Sequence, residues 1–173
     1  IDACLVGSEM CIRDSFPIWH QEIKDILVLK NNKGTEDNRV RKLDYSIQLS
    51  KIFYERFISN EEITLFSPHD VPGLYDSFGT DSFDELYVKY ENDDSIPKTQ
   101  IDAQELILDL LKERAETGRM YIMNIDHCNS HSSFTDKVEM SNLCQEITLP
   151  TKPIQHIDDC LLYTSPSPRD KHR

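Results

Sequence analysis

Three short stretches of the sequence bring together side chains able to do chemistry. In Ser141-Asn142-Leu143-Cys144-Gln145-Glu146-Ile147 an amide, a thiol and a carboxylate fall on alternate positions. Alternate side chains of an extended chain share a face, so Asn142, Cys144 and Glu146 are expected on one side and Leu143, Gln145 and Ile147 on the other. A thiol can act as nucleophile, metal ligand or one-electron hydrogen donor. A carboxylate beside it can take a proton, and an amide can orient a hydroxyl. The spacing is common, and a single cysteine in an apolar setting is more often a buried structural residue, so the residues alone leave both readings open. The second stretch is Asp126, His127, Cys128 and His131 (DHCNSH), all residue types that bind zinc. No second Cys or His pair stands at finger spacing, and the plainer reading is a polar loop after a buried strand. The third is Trp19-His20 in FPIWH, where packing and a satisfied imidazole are the ordinary explanation.

The elements that must position these residues belong to a chain of 173 residues, 38% hydrophobic and 29% charged. That is the length of one domain. A net charge of -12 makes the chain a poor candidate for binding a phosphate backbone, which needs a basic face. No apolar run approaches the roughly 20 residues of a membrane span, and mean hydropathy is -0.53. Five cysteines, without framework spacing, argue against a disulfide scaffold. The two ends differ from the middle: residues 1–15 and 160–173 look like translated sequencing-adapter sequence and are expected to pack little onto a body of residues 16–159. The ends contribute four basic and four acidic residues, so the body keeps the whole charge of -12.

Apolar spacing predicts helices over residues 21–29, 50–58, 81–91 (with Asp81 or Ser82 as cap) and 102–116, the last stopped by Gly118. FPIWH (residues 16–20) reads as the end of a strand, and strands are expected over residues 43–49, 62–66 and 120–125. Pro68 and Pro72 make residues 67–73 a loop, and residues 126–138 read as a polar loop. Strands alternating with helices indicate α/β connections and a partly parallel sheet. The strands are too few and too unevenly spaced for a closed fold, which points to a piece of a larger domain.

The segment MSNLCQEITLPTKP resembles the active-site segment of the large, catalytic subunit of class I ribonucleotide reductases. FPIWHQEI, LVLKNNKG, NRVRKLDYSIQ, ITLFSPHDVPGLYDSFG, YVKYENDDSIPK and ERAETGRMYIMNIDHCNSHSSF follow in that family's order. The resemblance covers residues 16–159, and Leu143 and Gln145 fit the class Ia form. It implies a fragment of a ten-stranded α/β barrel whose two parallel halves are joined by a finger loop with Cys144 at its tip. It further implies that Cys144, as a transient thiyl radical, abstracts the 3′-hydrogen of a ribonucleoside diphosphate. Glu146 would act as base on the 3′-hydroxyl, Asn142 would bind the substrate hydroxyls, and Ser141, Leu143 and Gln145 would line the substrate pocket with them.

The resemblance also implies a cytoplasmic enzyme that needs a small subunit carrying a metal-dependent radical cofactor. Thioredoxin or glutaredoxin would serve as reductant, ATP and deoxynucleotides as effectors bound elsewhere, and a second large subunit as partner. It implies no metal or cofactor in this chain, no membrane and no nucleic acid. The family's redox cysteine pair and radical-relay tyrosines match nothing here, so the isolated chain is expected to be inactive. The other reading is an acidic α/β binding domain in which Cys144 is structural. An incomplete barrel is expected to expose strand edges and to be marginally stable.

Overall fold

The computed structural model describes residues 12–30, 43–132, 136–142 and 144–149, and a five-stranded sheet forms its centre. Strand β2 (Tyr45–Leu49) is buried at all five positions. It is flanked on one side by β1 (Ile12–Pro17) and on the other by β5 (Tyr121–Asn124), both parallel to it. A strand enclosed on both faces reads as a continuous run rather than an alternating one, and YSIQL fits that with its two polar side chains hydrogen-bonded inside. Strand β6 (Met140–Asn142) pairs antiparallel with the outer side of β1, and β7 (Thr148–Leu149) antiparallel with β6. The sheet order is therefore β5-β2-β1-β6-β7.

Parallel neighbours require crossovers, and helices supply them. Helix α1 (Ile23–Leu27) follows β1. Helix α2 (Lys51–Ser59) follows β2 and stops at Asn60, whose φ of 57° is left-handed. Strands β3 (Glu62–Phe66) and β4 (Lys98–Asp102) form a separate antiparallel pair. Between them lie α3 (Leu74–Ser77) and α4 (Phe83–Glu91). Helix α5 (Ala103–Thr117) is capped by Asp102, whose carboxylate accepts from Glu105 N at 2.8 Å, and ends at left-handed Gly118. Helix α6 (Ile125–Ser130) continues directly from β5.

An aromatic cluster joins the two sheets. Phe53 meets Phe78, Phe83 and Tyr87 with ring centroids 6.3, 6.1 and 5.5 Å away. Trp19 stands edge-on to Phe78 at 6.0 Å. Beside the cluster, Arg56 grips Glu91 through both terminal nitrogens, and Thr64 donates to the same carboxylate. Burial by itself raises the Glu91 carboxyl, but the hydrogen bonds from Arg56 and Thr64 outweigh it and hold Glu91 below the usual range.

The mixed α/β architecture agrees with the expectation from sequence, as do the elements built on local signals. The sheet is open among the described residues, with no closed barrel. The helix expected over residues 21–29 shrinks to Ile23–Leu27. Ser82 precedes α4 without bonding its backbone, and its hydroxyl pairs with Thr80 instead. Residues 126–138 are not all loop, because α6 takes the first part of them. The boundary drawn after residue 15 falls inside β1: Asp14 and Ser15 pair with Tyr45 and Ser46. The expectation of little packing therefore fails for Asp14 and Ser15, which add parallel ladder to β2. Residues 1–11 and 150–173 lie outside the described residues. No helix among the described residues is long and apolar enough to cross a membrane.

Candidate functional site

Cys144 sits in the turn between β6 and β7, and the sequence around it closes that turn tightly. Asn142 N–H donates to Ile147 O at 3.1 Å, and Gln145 N–H donates to Asn142 O at 3.1 Å. The Asn142 side-chain oxygen accepts from Ile147 N–H at 3.0 Å. Gln145 occupies left-handed backbone, φ 63°. Ser141, buried in β6, donates its hydroxyl to Asn142 O.

This geometry changes the expected alternation. Left-handed backbone at Gln145 breaks the two-residue period, so Cys144 and Gln145 both line one groove while Asn142 and Glu146 do not. Glu146 is exposed on the turn, and the Asn142 amide oxygen is engaged within the hairpin. Leu143 lies outside the described residues. The expectation of extended backbone through Gln145 is therefore corrected, and of Asn142, Cys144 and Glu146 only Cys144 lines the groove.

The groove has a volume of about 520 Å³. One wall is strand β5, beginning at Tyr121. Another is α6, through His127 and Cys128, and the hairpin supplies Cys144, Gln145 and Thr148. Two of the three stretches singled out by residue type thus meet in space. Burial, reinforced by the Asp126 carboxylate, pushes the Cys128 thiol up, so Cys128 stays protonated at neutral pH. Cys144 is exposed and free.

The zinc reading of His127, Cys128 and His131 finds no support in this arrangement. Asp126 is engaged by Lys51 N–H at 2.8 Å and by His127 N–H at 2.8 Å. His131 Nδ1 lies 2.9 Å from Ser130 Oγ and 3.0 Å from His127 O. Among the described residues no three His, Cys, Asp or Glu side chains converge to hold a metal ion. Trp19 and His20 are structural. Trp19 is fully buried against Phe78, and His20 Nδ1 accepts from Glu22 N–H at 3.1 Å. Sequence reasoning missed Tyr121 and singled out His127 and Cys128 only as metal ligands, since nothing local marks a strand and a short helix as facing a turn some twenty residues downstream.

The model of the ribonucleotide reductase barrel domain matches residues 10–162. The chain belongs to the ribonucleotide reductase family. The ribonucleoside-diphosphate reductase subunit alpha of Haemophilus influenzae is 58% identical over 149 residues, 83% of this chain and 20% of that protein. The ribonucleoside-diphosphate reductase 1 subunit alpha of Escherichia coli is 56% identical over 144 residues, 80% of this chain and 19% of the relative. The subunit alpha of phage T4 is 46% identical over 149 residues, with 83% and 20% covered. The chain spans about a fifth of the length of these relatives. The ribonucleotide reductase match takes in all of β1 and the whole β6–β7 hairpin.

In this ribonucleotide reductase hairpin the Asn142 amide is part of the turn, which has a measurable consequence. Asn142→Ala removes the acceptor of Ile147 N–H, whereas Asn142→Asp keeps one. A net hydrogen bond contributes about 1 kcal/mol, so exchange of the Ile147 amide is expected to quicken about fivefold in Asn142→Ala and little in Asn142→Asp. Hydrogen–deuterium exchange with residue resolution reads this directly, and equal protection in the two variants contradicts it.

Proposed function

We propose that this chain is the section of a class I ribonucleoside-diphosphate reductase large subunit that carries the radical cysteine. The sheet is then part of the ten-stranded barrel, and the β6–β7 hairpin carries the tip of the finger loop. The observation that carries the reading is Cys144 itself, a free and exposed thiol at the turn of a hairpin that opens onto a groove.

In this reading Cys144, once converted to a thiyl radical, takes the 3′-hydrogen atom of a ribonucleoside diphosphate. The S–H bond forms, the C–H bond breaks and the radical passes to the sugar. Glu146 accepts the 3′-hydroxyl proton, and Asn142 orders the sugar hydroxyls. The overall reduction consumes two electrons, supplied by a cysteine pair elsewhere in the subunit and restored by thioredoxin or glutaredoxin. The radical arises in a metal-bearing small subunit. Hydrogen-atom transfer needs donor and C–H bond held in line, which a turn closed by three hydrogen bonds provides. A groove that closes over substrate also shields the radical from water.

A hybrid tests the proposal. Residues 12–149 of this chain replace the matching segment of a full-length bacterial subunit alpha, and deoxyribonucleotide formation is measured with the cognate small subunit. Turnover is expected. A hybrid that folds and binds substrate but forms no deoxyribonucleotide overturns the reading.

A further inference from the structure

We propose that Asn129 and Gln48 are positioning residues for Cys144, fixing from two sides the segment that delivers its hairpin. The inference rests on the radical role of Cys144. Neither residue lines the groove, so both act through the backbone between them and the turn.

The hairpin cannot place itself. Strand β6 has three residues and β7 two, and among the described residues only Ile12–Asn142 and Arg13–Ser141 join β6 to β1. Two-stranded ribbons this short are marginal alone. The two residues that lead into β6 are Val138 and Glu139, and each is clamped. Asn129 Nδ2 donates to Val138 O at 3.2 Å, and Asn129 Oδ1 accepts from Val138 N–H at 2.7 Å. One side-chain amide thus takes both backbone groups of one residue, as a neighbouring strand would. Asn129 Nδ2 also donates to Ile125 O at 2.9 Å, tying the clamp to α6. On the other side Gln48 Nε2 donates to Glu139 O at 2.9 Å.

Gln48 is 3% exposed and sits in the second strand of the sheet, paired with Pro17 and Met123. A polar side chain at such a position costs stability unless it is bonded, and an apolar residue of similar size would pack there without that demand. Its polarity is explained by the carbonyl it holds. The space around Asn129 is also kept clear: a Cβ at Gly79 would stand 2.8 Å from Asn129 Nδ2 and 2.7 Å from Ile125 Cγ1. Two core elements, β2 and α6, therefore set where β6 begins, and β6 sets where Cys144 lies.

The test uses the hybrid subunit with Asn129→Ser, with Gln48→Met, and with both. Misplacement of a reacting group by about 1 Å costs about 100-fold in rate, so kcat is expected to fall roughly 10- to 100-fold in each single variant. KM should hold nearly constant, and the double variant should lose little more, because both clamps hold one segment. A folded Asn129→Ser or Gln48→Met variant with unchanged kcat, or a parallel rise in KM, overturns the assignment. Unfolding of both variants overturns it too, since the contacts would then belong to the general core. Cys144→Ser run alongside separates the two readings. If that variant keeps turnover, the radical role itself fails. If it is inactive while the clamp variants are not, only the positioning role fails.

Discussion

Cys144→Ser in the hybrid subunit is expected to abolish deoxyribonucleotide formation while leaving fold and substrate affinity nearly intact. Serine is close to cysteine in size and the side chain is exposed. The cost in stability should stay within about 0.5 kcal/mol, as for most surface substitutions. What changes is the bond to be broken, because an O–H bond is much harder to convert to a radical than an S–H bond. No neighbour can take over: Cys128, the other free cysteine among the described residues, sits half-buried on a different wall. The measurement is steady-state reduction of a ribonucleoside diphosphate, with binding followed separately. Substantial residual turnover would return Cys144 to the standing of an ordinary surface thiol.

Glu146→Gln should lower turnover by about 10²- to 10⁴-fold, the range typical of lost general-base help. The substitution keeps shape and hydrogen-bonding capacity and removes only the site that takes the proton. The structure adds a condition. Glu146 stands exposed on the turn and outside the groove, so the role requires the turn to close over the bound sugar. Substrate binding to Glu146→Gln should therefore be nearly normal while turnover collapses. Loss of affinity with unchanged kcat would instead make Glu146 a binding group.

The parts of this structure that were legible in the sequence are those written locally. Helix α5 announces itself through Asp102, its apolar stripe and Gly118, and β3 appears with the bounds expected from its composition. What was not legible depends on partners distant in the chain. Strand β4 (KTQID) has one buried position and is a strand because β3 lies beside it. Helix α6 begins without a side-chain cap and reads as loop, yet it forms a wall of the groove. The candidate site was legible as a set of residue types and, through the run of motifs, as a family. Its geometry was not, since strict alternation assumes extended backbone and Gln145 leaves it. The one local hint of the clamps is a glutamine in a strand that is otherwise apolar but for Ser46.

Strand β1 is the first described element of the chain, and the register that joins it to β6 sets Ile12 opposite Asn142. Its other neighbour, β2, follows after a single crossover. The two pairings therefore close loops of very different length. Contacts between distant residues require a large loop to close first and form late. Among the described pairings of the sheet, that of the cysteine hairpin with β1 closes the longest loop of chain. The pairings of β2 with β1 and with β5 do not depend on that closure. Cys144 takes its place beside β5 and α6 only when that loop is closed, so the groove is a marker of the most costly closure in the sheet.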